Sequence, residues 1–260
     1  MATGTGFGRR TAACSAVVDD FTYDMDESSC WRDVKMKYRH ELKFLVSPAQ
    51  LALLKSRICH VARQDENQPS EDGYIITSLY FDDRNDKCLK ETIDGYDIRQ
   101  KYRIRIYGHD SSVIKLERKS KIHGMTAKVS ALITEEMCRD MMQGKLPSID
   151  KIADYGKSIL TEMKVAGMIP KCIVQYNRKA FVYRTGNVRI TFDENISGSV
   201  DIPTFLDERI PVMPLLEQGR HVLEVKYDNI LPGMLAELLE IETLQQTAFS
   251  KYGYARNNIR

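Results

Sequence analysis

The 260-residue sequence has almost no net charge, since 38 Lys and Arg stand against 36 Asp and Glu for a formal +2 at pH 7. Binding a polyanion through bulk charge is thereby excluded, and any anion-binding feature has to come from local segregation of charge. A cysteine framework is missing too. Cys14, Cys30, Cys59, Cys88, Cys138 and Cys172 are scattered with no C-x-x-C spacing. That argues against a zinc site or paired disulfides and for the reduced thiols of a cytoplasmic protein, with Cys88 and Cys172 as small hydrophobes. No run approaches the roughly 18 apolar residues of a membrane span. The stretch Thr11–Val18 behind Arg9-Arg10 is too short and polar for a secretion signal. His40, His60, His109, His123 and His221 lack metal-ligand spacing and read as surface or packing residues. Gly156-Lys157-Ser158 has Lys151 where a P-loop needs glycine, and Gly4-x-Gly6 has Arg9 where a dinucleotide fingerprint needs its third glycine.

Residues 1–35 are rich in Gly, Ser, Thr and Asp and contain the only tryptophan, Trp31. They read as a disordered tail, with Met36 a candidate natural start. Residues 36–260 read as one domain of class α+β. The clearest pattern lies in Arg99–Tyr107, where alternation puts Arg99, Lys101, Arg103, Arg105 and Tyr107 on one face and Tyr102, Ile104 and Ile106 on the other.

Other strands repeat it. Tyr38–Val46 alternates Arg39, Glu41 and Lys43 with Leu42 and Phe44, and Val113–Lys121 alternates Lys115, Glu117, Lys119 and Lys121 with Ile114 and Leu116. Further strands are expected at Tyr74–Phe81, at Thr126–Ala131 with Lys128, at Lys171–Tyr183 with Tyr176 and Arg178, at Val188–Asp193, and at Val222–Tyr227 with Glu224 and Lys226. Ser47-Pro48 fits an N-cap and first helical position for a helix reaching about Arg63, and Pro232 opens another with Leu235, Leu238, Leu239 and Ile241. Helices within 134–143 and 149–166 are expected to form an insertion or lid over one barrel end.

A solvated sheet face ordinarily mixes signs. Here Lys43, Arg99, Lys101, Arg103, Arg105, Lys115, Lys119, Lys121, Lys128, Arg178, Arg189 and Lys226 collect against only Glu41, Glu117, Asp193 and Glu224. Amphipathic helices are available to cover the apolar faces, which would turn the charged faces inward. The expectation is an antiparallel eight-stranded β-barrel with a charged lumen and helices packed outside. So many interior cations require a wet lumen and a ligand of opposite sign, for which a long polyphosphate is the economical candidate.

The ordered segments Arg39-His-Glu-Leu-Lys43, Ser78-Leu-Tyr-Phe-Asp82, Lys101–Tyr107, Leu116-Glu-Arg-Lys119, Tyr176-Asn-Arg178, Val188–Asp193, Leu223-Glu-Val-Lys226 and Ser250-Lys251 together resemble the polyphosphate polymerase (VTC-type) catalytic domain of the triphosphate tunnel metalloenzymes. The resemblance covers about Lys37 to Tyr252. It implies a tunnel that binds ATP, transfers the terminal phosphoryl group to a growing polyphosphate chain, and uses Mn²⁺ or Mg²⁺. It further implies that Lys43, Arg103, Arg105, Lys119, Lys128, Arg178, Arg189, Lys226 and Lys251 contact phosphates, with Tyr176 beside them, and that Glu224 holds the metal. The catalytic set that the resemblance implies is Lys43, Arg103, Arg105, Lys119 and Glu224.

One departure matters. The hydrolytic members of that superfamily have a first strand of the form E-x-E-x-K, and Arg39 stands in place of the first glutamate. Fewer carboxylates leave less scope to activate water, which favours a polymerase over a triphosphatase. A non-catalytic polyphosphate-binding module is the other alternative. Nucleic acid is not an expected partner, because aromatics are scarce on the basic faces, Tyr107 and Tyr176 being the main exceptions.

Overall fold

The structure is a computed structural model that describes residues 37–108, 110–241 and 244–259. The expected tail, with Trp31, Cys14 and Cys30, together with Met36 and His109, lies outside the described residues. Among the described residues ten strands form one antiparallel sheet: β1 (His40–Val46), β2 (Arg63–Gln64), β3 (Tyr74–Asp82), β4 (Arg99–Tyr107), β5 (Asp110–Ile122), β6 (Met125–Ile133), β7 (Ile169–Tyr183), β8 (Val188–Ser199), β9 (Met213–Pro214) and β10 (His221–Tyr227). Eight of them follow the path β1-β10-β8-β7-β3-β4-β5-β6, while β2 pairs with β7 and β9 with β8 off that path. The two ends of the path meet at Arg39 and Thr126, whose backbone groups exchange two 2.9 Å hydrogen bonds and so join the sheet into a barrel.

Alternation decides which face turns inward. The outer face of β1, β8 and β10 presents Leu42, Phe44, Ile190, Phe192, Leu223 and Val225 to α1 (Pro48–Ile58) and α5 (Gly233–Leu239), burying Leu54, Ile58 and Leu235 completely. Ser47 caps α1 as the sequence indicates, accepting from Gln50 N while its own N–H donates 2.8 Å to the Gln50 side chain. The helix ends at Ile58, short of the expected Arg63.

Two helices expected to form a lid do something else. Met137, Cys138 and Met141 of α3 (Glu135–Met142), and Ile159, Leu160 and Met163 of α4 (Asp154–Val165), pack in the same core as Ile104, Leu116 and Ala131. They cover the outer face of β4 to β6, and the reason is the apolar stripe on each helix, which a position over a wet barrel mouth would leave unburied. The Tyr102 hydroxyl, on that outer face, donates to Glu162 of α4 at 2.7 Å.

Two further helices gave no clear sequence signal. The first turn of α2 (Lys87–Ile93) is capped from a distance: Asp82, at the end of β3, accepts from the N–H groups of Cys88 and Leu89 at 2.9 and 3.0 Å. The same carboxylate accepts from the Tyr252 hydroxyl at 2.6 Å, which ties down α6 (Lys251–Asn258). Arg256 of α6 adds hydrogen bonds of 2.9 and 3.0 Å to Asp86. By these links the end of the chain is held against the start of α2.

Gly156 lies inside α4, so the Gly-Lys-Ser triplet is helical and not a phosphate loop. A Cβ at Gly156 would fall 2.8 Å from the Ala131 Cβ and collide with the Ile152 side chain. Glycine there lets α4 approach β6. Alanine in a helix interior normally gains about 1 kcal/mol over glycine, but here the overpacking is expected to reverse the sign. Gly156→Ala should lose about 1–3 kcal/mol of stability with anion binding intact, as measured by thermal unfolding and titration with inorganic tripolyphosphate.

Candidate functional site

The lumen can be built strand by strand from the register. Arg103 and Arg105 of β4 stand opposite Glu117 and Lys115 of β5, and Lys119 of β5 stands opposite Lys128 of β6. Glu117, fully buried, is the hub of the first cluster. Its Oε2 accepts from Arg103 Nε at 2.7 Å and lies 3.8 Å from Arg105 Nε, while its Oε1 is 3.3 Å from Lys128 Nζ. Burial opposes ionisation of Glu117, but Lys128, Arg105 and Arg103 override it and hold the carboxyl well below its usual range. Arg103 also donates to the Tyr80 hydroxyl at 3.1 Å and Arg105 to the Tyr176 hydroxyl at 3.3 Å.

Tyr176 links this cluster to a second. Its ring lies 5.2 Å from the Arg178 guanidinium carbon and 4.9 Å from Lys251 Nζ. Arg178 grips Asp193 with two bonds of 2.6 and 2.7 Å, the forked geometry that suits a carboxylate or a phosphate. Lys251, delivered by α6, sits between two carboxylates, 2.6 Å from Asp193 and 2.8 Å from Glu224. Burial raises the Glu224 carboxyl pKa, and Lys251, Lys43 and Arg178 more than reverse this to hold it well below normal.

A third cluster lies toward the end marked by Arg99 and Lys121. Glu41 receives Lys119 at 2.6 and 2.9 Å and Lys43 at 3.3 Å, and Lys43 is also 3.6 Å from Glu224. Here Lys43, Arg99, Lys101, Lys119 and Lys121 surround a cavity of about 530 Å³ that Glu41, the segment Gln246–Ser250 and Gly253 also line. Lys101 donates to the Ser250 hydroxyl at 2.9 Å. Burial and the neighbouring Lys43, Lys119 and Arg99 push the Lys101 pKa well below normal. Burial lowers Lys119 to about 7; Glu41 pulls it back up, but Lys43 and Lys226 add to the fall. The local cations exceed what one carboxylate can answer.

Every residue expected from the sequence to meet phosphate lies on the lumen-facing rows or, as Lys251, reaches in from α6. Arg189 and Lys226 are set apart from the central cluster. Arg189 pairs with Asp65 at 2.8 Å, and Lys226 lies in register between Glu41 and Arg189. The members to which the sequence assigns no role are Tyr74, Ser78 and Tyr80, which face inward from β3 across from Arg178, Arg105 and Arg103. Their alternation with Thr77, Leu79 and Phe81 marks their face, but being uncharged they do not belong to the cationic rows. Arg39 does not line the site as a glutamate would: it pairs with Asp228 at 3.0 Å and donates to the Asn187 carbonyl, beside its backbone bridge to Thr126.

Among the described residues no three acidic, histidine or cysteine side chains converge as a metal cage. Glu224 is nevertheless suited to a divalent cation that takes most of its oxygens from phosphates and water, since Mg²⁺ and its relatives are commonly held by one or two carboxylates plus substrate.

The VTC domain family model matches residues 38–258. No curated protein matches the chain. Among solved structures, a Bacillus halodurans protein described as a candidate adenylate cyclase aligns with 12% identity over 78% of this chain and 86% of its own, with a TM-score of 0.47. A Pyrococcus horikoshii protein aligns with 13% identity over 85% and 99%, TM-score 0.44, and the Mimivirus capping enzyme triphosphatase with 12% over 78% and 87%, TM-score 0.37.

The depressed Lys119 pKa gives a sign for the pH dependence of anion binding. A bound polyanion favours the charged lysine, so binding takes up no proton at Lys119 below pH about 7 and must take one up above it. Affinity for inorganic tripolyphosphate should therefore fall as pH rises beyond about 7, by up to about tenfold per pH unit. Lys119→Met should flatten that slope in calorimetric titrations; an unchanged slope would remove Lys119 from the site.

Proposed function

The chain belongs to the VTC domain family, and from that premise we propose that it is a polyphosphate polymerase, which moves the terminal phosphoryl group of ATP onto a growing polyphosphate chain within the barrel. The observation that carries the reading is the lumen's charge balance. The side chains of Glu41, Glu117, Asp193 and Glu224 are each buried against two or more cations, yet burial, with the surplus of neighbouring cations adding to it, still drives Lys101 and Lys119 toward neutrality. A polyanion relieves that strain.

In this reading the terminal oxygen of the chain attacks the γ-phosphorus, the bond from that phosphorus to the β–γ bridging oxygen breaks, and ADP leaves. The chain gains one phosphate. Positioning and neutralisation supply most of the rate in such a transfer. Arg103 and Arg105 present forked donors to the transferred group, and Lys128 and Lys43 add point charge on either side. Arg178 and Lys251 hold neighbouring phosphates with Tyr176 packed between them, while Lys119, Lys226 and Arg189 extend the cationic path along the lumen. A divalent cation, Mn²⁺ or Mg²⁺, bound by Glu224 and phosphate oxygens, would offset charge on the phosphates. Free thiols at Cys59, Cys88, Cys138 and Cys172 suit a cytoplasmic setting, and no described helix is long and apolar enough to cross a membrane.

With ATP and Mn²⁺ the protein should yield chains visible on a polyphosphate-stained gel; release of free phosphate without chains would point to a triphosphatase, and binding without turnover to a carrier. Arg105→Ala should lower synthesis by about 10²-fold, the scale seen when one donor to a reacting oxyanion is removed. Arg103→Ala also uncovers the buried Glu117, and breaking a buried pair costs about 3–5 kcal/mol. Combining it with Glu117→Gln separates loss of activity from loss of fold. Glu224→Gln should abolish synthesis yet keep tripolyphosphate affinity within about tenfold of the parent.

A further inference from the structure

Among the described residues Lys101 stands in the cation-ringed cavity with no carboxylate partner. The β4–β5 register sets it across from Lys119, and Arg99 across from Lys121, so like charges face one another on neighbouring strands. Glu41 is the one described carboxylate lining the cavity, and it is already engaged by Lys119 at 2.6 and 2.9 Å and by Lys43 at 3.3 Å. Lys101 Nζ donates instead to the Ser250 hydroxyl at 2.9 Å, and the same hydroxyl oxygen accepts from Gly253 N at 3.1 Å. The amine is thereby held in the cavity wall without being paired to negative charge.

Desolvation and cationic neighbours are the two conditions that turn a lysine into a nucleophile, because both favour the neutral amine. Lys101 meets both. It is half-buried, and burial together with Lys43, Lys119 and Arg99 takes its pKa well below the usual lysine range. Lys119 shares these surroundings, but both oxygens of Glu41 accept from it and pull its pKa back up. The cations that neutralise Lys101 also select its reagent. Lys43, Arg99 and Lys121 draw in anions, so a small molecule with phosphate at one end and a reactive carbonyl at the other is concentrated beside the amine.

We propose that Lys101 is a site of covalent acylation by small acyl phosphates. The neutral Nζ attacks the carbonyl carbon and forms an N–C bond. The bond from that carbon to the phosphate oxygen breaks, phosphate leaves with the bonding electrons, and the surplus proton on nitrogen passes to the departing phosphate. The amide that results carries no charge, so the cavity loses one cation and its hold on a polyanion weakens. A bound polyanion opposes the reaction in turn, by filling the cavity and by favouring the charged amine. Occupancy and acylation therefore exclude one another. This inference goes beyond the transfer reaction, since it requires a cavity that takes anions and not a polymerase.

The test incubates the full chain with acetyl phosphate and quantifies acetylated peptides by mass spectrometry. Lys101 should be acetylated at least about tenfold faster than the exposed Lys87 and Lys145, tenfold being the gain in neutral amine for each unit by which a pKa falls. Saturating inorganic tripolyphosphate should suppress labelling at Lys101 and leave Lys87 unchanged. Acetylation should lower tripolyphosphate affinity about tenfold in calorimetric titration, the scale of one hydrogen bond to a charged group, whereas the same treatment of Lys101→Arg should change its affinity by less than about twofold. Labelling of Lys101 no faster than of Lys87, labelling that tripolyphosphate does not slow, or acetyl transfer to Lys119 in its place would overturn the assignment. A protein that makes no polyphosphate yet is labelled at Lys101 loses the proposed function and keeps this site. One that makes polyphosphate and is labelled evenly across its lysines keeps the function and loses the site.

Discussion

A carboxylate sealed inside a protein keeps its charge only where cations answer it, and four such carboxylates organise this barrel. Glu117 joins β5 to Arg103 of β4 and Lys128 of β6. Asp193 joins β8 to Arg178 of β7 and to Lys251 of α6, and Glu224 joins β10 to the same lysine. Glu41 reaches Lys119, so an ion pair links β1 to β5 near the place where Arg39, just before β1, makes its backbone bridge to Thr126 of β6. The cations proposed to grip phosphate are thus the ones that hold the ligand-free lumen together. In the proposed reading a phosphate chain exchanges partners with them, and the surplus of positive charge around Glu41 and Lys101 favours the exchange.

The position of Lys251 depends on contacts remote from it in sequence. Asp82 satisfies backbone donors of α2 and the Tyr252 hydroxyl together, and Asp86 receives both Arg256 of α6 and Lys171 of β7. Tyr252 also stacks on Tyr80, whose hydroxyl accepts from Arg103. Rigid packing on both flanks keeps the ammonium between Asp193 and Glu224, and couples the last helix to the arginine cluster through one aromatic pair.

Strand alternation made the barrel legible, because a period of two places Arg103 with Arg105 and Ile104 with Ile106 whatever the rest of the chain does. The inward placement followed from the apolar outer faces and the helices able to cover them. What sequence periodicity could not supply was long-range capping: α2 takes its cap from Asp82, and α6 is a short run of Tyr, Gly and Asn whose only local signal is Ser250 accepting from Gly253 N. The position of α3 and α4 is not legible for a related reason. Their stripes demand an apolar partner, yet nothing in the stripes says whether that partner is a barrel's side or its end. In the candidate site the cations and Glu224 were readable, whereas Asp65 as partner of Arg189 and the inward tyrosines of β3 required the register.

The state of the lumen carboxylates also bears on which acceptor takes the phosphoryl group. Hydrolysis in such a site needs a base to draw a proton from water, and a good base has a pKa near the working pH. Burial pushes Glu41, Glu117, Asp193 and Glu224 toward that range, but Lys119 and Lys43, Lys128 and the β4 arginines, Arg178, and Lys251 pull each back below its ordinary value. Carboxylates held so firmly ionised accept protons poorly. The end of a polyphosphate chain already carries an anionic oxygen and needs no base, only alignment and a field that tolerates two polyanions at close range. In the ligand-free lumen these ion pairs leave no carboxylate poised to take a proton from water, whereas a phosphate chain as acceptor requires none.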